Sequence, residues 1–84
     1  MIVKILLPNA ATKFIQADEV HHQPTTIFAQ IPDTIHYLDV ATHFDGDEVE
    51  GNIITVSNGQ KEQLYFTNCP MYLMNDNGKT IERL

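Results

Sequence analysis

Residues 52–84 read NIITVSNGQKEQLYFTNCPMYLMNDNGKTIERL, and two dipeptides in that stretch, Asn58-Gly59 and Asn77-Gly78, decide the fold class. Asn and Gly both tolerate positive φ, as the two central residues of a type I′ hairpin turn must. Each dipeptide lies between short runs of β-branched, aromatic and other apolar side chains. Asn52–Ser57 carries Ile53, Ile54 and Val56, and Gln63–Thr67 carries Leu64, Tyr65 and Phe66. After a kink at Asn68-Cys69-Pro70, Met71–Met74 and Lys79–Leu84 form the second pair of arms. Two such hairpins in succession predict antiparallel sheet.

Working outward, Met1–Leu7 is apolar apart from Lys4, as in a strand covered on both faces. Pro8-Asn9-Ala10-Ala11 reads as a turn. Thr12–Val20 is its return arm, which His21-His22-Gln23-Pro24 should end, because proline cannot donate to a ladder. Thr25–Ile31 places Ile27, Ala29 and Ile31 on one face with a period of two. Ile35–Phe44 is rich in β-branched and aromatic residues and reads as a strand. A short helix over 33–43, capped by Asp33 or Thr34, is the alternative. Asp45–Gly51, acidic and bracketed by glycines, reads as a loop. The expectation is a mainly β fold in one domain spanning 1–84, a small antiparallel barrel or sandwich of six to eight short strands.

Composition limits what such a domain can do. At 43% apolar and 19% charged residues the chain resembles globular rather than disordered sequences. It has no run of 18 apolar residues that would span a membrane. Met1–Leu7 is too short for a signal-peptide apolar region, so a cytoplasmic location is expected. Net charge is −6, and no Lys or Arg lies between Phe14 and Gln60, a stretch holding eight carboxylates and all four histidines. That excludes an ordinary phosphate-binding surface, so direct nucleic-acid binding is not expected. A solvated exterior explains such a run of acids; a recognition surface is the sharper reading. Its candidate residues are Asp39, Asp45, Asp47, Glu48 and Glu50.

Chemical constellations are missing. Cys69 is the single cysteine and sits among apolar residues; Ser57, the single serine, lacks a G-x-S-x-G frame. His21 and His22 are adjacent, and His36 and His43 stand seven apart, so on strands neither pair shares a face. The run Asp45 to Glu50 fails the calcium-loop pattern at Val49 and Glu50. No catalytic residue, metal or cofactor is assigned. An apolar contact surface is instead drawn from Tyr65, Met71, Tyr72 and Met74, since Tyr72 with Met74 and Met71 with Leu73 make both faces of one strand apolar. A homodimer would cover the second face.

Length, acidity and the C-terminal turn and strand, Asn77-Gly78-Lys79 to Leu84, make the last half of the chain similar to the small acidic uracil-DNA glycosylase inhibitors of phages. Those proteins begin with an amphipathic helix, where Met1–Val20 here reads as a hairpin, and no site residue is carried over. Three functions are therefore weighed. The first is a non-enzymatic protein-binding module, of a phage or other mobile element and dimeric in one version. The second is an acidic DNA mimic that inhibits a nucleic-acid-handling enzyme, and the third is a histidine-based metal binder.

Overall fold

The computed structural model describes residues 1–39 and 44–84. Eight strands, β1 (Ile2–Leu6), β2 (Thr12–Gln16), β3 (Glu19–Ala29), β4 (Ile35–Leu38), β5 (Asp47–Asn58), β6 (Lys61–Thr67), β7 (Met71–Met74) and β8 (Thr80–Arg83), form two antiparallel sheets. Their orders are β2-β1-β7-β8 and β3-β5-β6-β4. The result is a small β-sandwich rather than a closed barrel. No helix occurs among the described residues, and the ambiguous segment begins as β4. The rest of it, residues 40–43 with His43, lies outside the described residues. Among the described residues no helix is long and apolar enough to cross a membrane.

Both predicted hairpins form, with different turns from those expected. Asn58 pairs with Lys61, and of the two residues between them only Gly59 has positive φ, the type II′ pattern. Asn77-Gly78 lies in a longer loop in which the Asn75 side-chain oxygen accepts from the Asn77 and Lys79 amides, both at 3.0 Å. The pair of positive φ values falls elsewhere, at Asn9 (65°) and Ala10 (61°), between β1 and β2.

Period-two alternation sorts the side chains into two cores. Val3, Ile5, Ile15 and Met71 of the first sheet meet Ile54 and Val56 of β5 between the layers. Ile53, one residue away, points to the other face of its sheet, where Phe66 lies beside it. β5 pairs with β6 only from Asn52 onward; its earlier half, Asp47–Gly51, pairs with β3 alone. This two-stranded ribbon folds over the sheet behind it, packing Ile27, Ala29 and Val49 against Leu38 and Phe66. Gly51 sits at the crease. A Cβ there would collide with the Thr67 carbonyl and the Phe66 ring, so the fold-over requires glycine.

Three expectations are corrected here. Pro24 does not end a strand: β3 runs through it, opposite Asn52. As an edge strand, β3 can spare one outward amide. Asp45–Gly51 is not a loop, since Asp47–Gly51 is the first half of β5, held in register by Thr25–Ala29. Ile31 also departs from its predicted face. It lies past the end of β3 and is 66% exposed.

Candidate binding groove

Six large apolar side chains are about half exposed or more among the described residues: Phe14, Phe28, Ile31, Tyr37, Phe44 and Ile81. Four of them, Phe28, Ile31, Tyr37 and Phe44, line one groove of about 620 Å³. Its walls are the end of β3 with Gln30 and Ile31, the whole of β4, and Phe44 with Asp45. The volume lies within the range of ordinary ligand sites.

The strands that position these groups are pinned from below. Thr67, fully buried, donates its hydroxyl to the Thr34 carbonyl at 2.8 Å and accepts from the Cys69 amide at 3.1 Å. Asn68 and Asp33 bond reciprocally, each at 2.9 Å, which holds Asp33 at its positive φ of 57° just before β4. His36 donates Nε2–H to the Ile31 carbonyl at 3.0 Å and sets its ring against Phe66. These contacts fix β4 relative to the Gln30–Thr34 connection, and so fix the groove floor. Tyr37 stands 5.0 Å from Tyr65, ring centre to ring centre. Burial, and secondarily the neighbouring Tyr37, raise the Tyr65 phenol above its ordinary range.

The five predicted carboxylates do not form one face. Asp45 lines the groove and accepts from the Gln30 amide at 3.4 Å. Asp39 is exposed one residue beyond Leu38. On β5 alternation divides the rest: Asp47 lies opposite Ala29, while Glu48 and Glu50 lie on the other side, opposite Phe28 and Thr26. No Lys or Arg occurs on β3, β4 or β5. The one strand cation of this sheet is Lys61, at the hairpin end of β6; on the other sheet Lys4 pairs laterally with Phe14 and Tyr72, and Tyr72 with Arg83.

The four predicted apolar contacts are likewise dispersed. Met71 lies in the core between the sheets, and Met74 is also buried. Tyr72 is half-buried on the outer face of its sheet beside Lys4. Tyr65 is half-buried on the other sheet, lining a second depression of about 380 Å³ with Ile15, Lys61 and Glu62. Among the described residues, no three His, Cys, Asp or Glu side chains gather where a metal would bind. His21 instead pairs with Glu19 at 3.0 Å on the surface.

Phe28 and Phe44 were not singled out from the sequence. The available signal was phase: Phe28 falls between Ile27 and Ala29, on the face that a half-buried strand gives to polar residues. Compared with family models, curated proteins and solved structures, the chain matches none.

Proposed function

We propose that this protein is a small acidic, non-enzymatic protein-binding module whose contact site is the groove beside β4. One observation carries the reading: four of the exposed large apolar side chains converge there, in a groove lined by Asp45 and by no Lys or Arg. Aromatic residues in a concave, partly dry site supply binding energy, and an uncompensated negative rim selects a partner of opposite charge. The DNA-mimic alternative draws less support, because Asp47 points away from Glu48 and Glu50 and phenylalanines intervene.

The test is capture of partners by the wild-type chain against the double variant Phe28→Ser/Tyr37→Ser. Both side chains are exposed, so the variant should fold normally. A partner held by the wild type, lost with the variant and released by raising salt to about 1 M supports the reading. Equal capture by both, or none by either, rejects it. Light scattering on the same samples reports whether the captured partner is a second copy.

A further inference from the structure

The two sheets have four outer strands, and three carry a feature that hinders further pairing. β3 contains Pro24, which lacks an amide hydrogen. β8 is bulged against β7 where the register shifts between Leu73 and Met74. β2 carries Lys13, and its last carbonyl, on Gln16, accepts from the Asn58 side-chain amide at 3.0 Å. Prolines, bulges, edge lysines and covering groups are the devices by which natural sheets prevent strand addition. β4, Ile35–Leu38, has no proline, bulge or cation, and no strand lies beyond it among the described residues.

We propose that β4 is a docking edge: an extended segment of a partner protein, alternating apolar with Lys or Arg side chains, adds to it as a fifth strand. This rests on the groove being the contact site. An antiparallel strand bonded on one side directs its remaining amides and carbonyls outward, and among the described residues β4 pairs with β6 alone. Side chains of an added strand would alternate between two surfaces. One is the row holding His36 and Leu38 over the groove; the other is the row holding Ile35 and Tyr37, beside Tyr65. The partner's charge follows from the surroundings, since Asp33 precedes β4, Asp45 lines the groove, and the groove's lining includes no Lys or Arg, Lys61 lying at the far, hairpin end of β6. Main-chain bonds supply affinity in this mode, and alternate side chains supply selectivity.

The probe is a short peptide of alternating lysine and valine, titrated into the full chain by calorimetry with amide exchange followed at β4. Binding should slow exchange of the outward β4 amides. Methylating alternate peptide nitrogens should weaken it by about tenfold or more, and Tyr37→Lys should do the same with little change in melting temperature. Equal binding of the methylated peptide, with β4 exchange unchanged, would overturn strand addition while leaving groove binding intact. No heat from either peptide at about 1 mM would overturn both.

Discussion

Val3, Ile5 and Ile54 meet between the sheets with no exposed surface, Ile15 and Cys69 at that core's margin keeping 7–8%, whereas under the folded-over ribbon Phe66 alone is sealed and Ile27, Ala29, Leu38 and Val49 each keep 6–9%. The first core is closed by a complete second layer. The second is closed by an extension of its own sheet only two strands wide, and it borders an open groove. Charge is distributed unevenly too: Lys4, Lys13 and Arg83 lie on the first sheet, while on the second β3 and β5 carry acids without a Lys or Arg, β4 carries neither, and Lys61 stands at the end of β6. One region is sealed between two layers and the other borders an open groove, and substitutions can separate the two.

The largest effect is expected from Ile5→Ala, a loss of about 2–5 kcal/mol in chemical unfolding with all strands affected together. Ile27→Ala should fall at the low end of that range, with faster amide exchange confined to Thr25–Ala29 and Asp47–Gly51. Exchange rising equally in β1 and β7 would show that the two cores are a single unit. Gly51→Val should cost about 2 kcal/mol, comparable to Ile27→Ala, because its side chain meets backbone that cannot retreat. If its melting temperature were unchanged, the crease would not depend on glycine.

Thr67→Val removes the hydroxyl that joins Thr34 to Cys69 and should cost about 2 kcal/mol, read as a lower denaturation midpoint. Ala10→Gly should act in the opposite direction, a gain of about 0.5 kcal/mol, since alanine is held at a φ of 61°. The smallest effect concerns alkaline pH. Tyr65 is raised above 10.0 by burial first and Tyr37 second. The folded state thus holds that proton more tightly than the unfolded chain, so this contribution is complete below pH 10.0 and is lost as pH rises through the folded value. Tyr65→Phe should flatten that decline in a series of pH-dependent melts.

The strands were legible where local chemistry dictated them. Asn58-Gly59 and Asn77-Gly78 marked real hairpins, and the alternation of Ile54 and Val56 marked a real core face. Reading failed where a residue's local preference was overruled by its position in the sheet. Pro24 is tolerated because β3 is outermost, and the acids from Asp47 to Glu50 are extended because β3 pairs with them across a sequence gap. Neither fact is local. The groove was less legible still: Phe28, Tyr37 and Phe44 are separated along the chain and meet only through the return of β4 to β6. The acidic candidates were visible as a cluster in sequence, and only alternation along β5 showed which of them share a side.

Cys69 adjoins the seam between the layers, 7% exposed and unpaired. The chain therefore carries a built-in clock. An alkylating reagent reaches that sulfur readily only when the seam parts, so its labelling rate times the spontaneous opening of the sandwich without any added dye or tag.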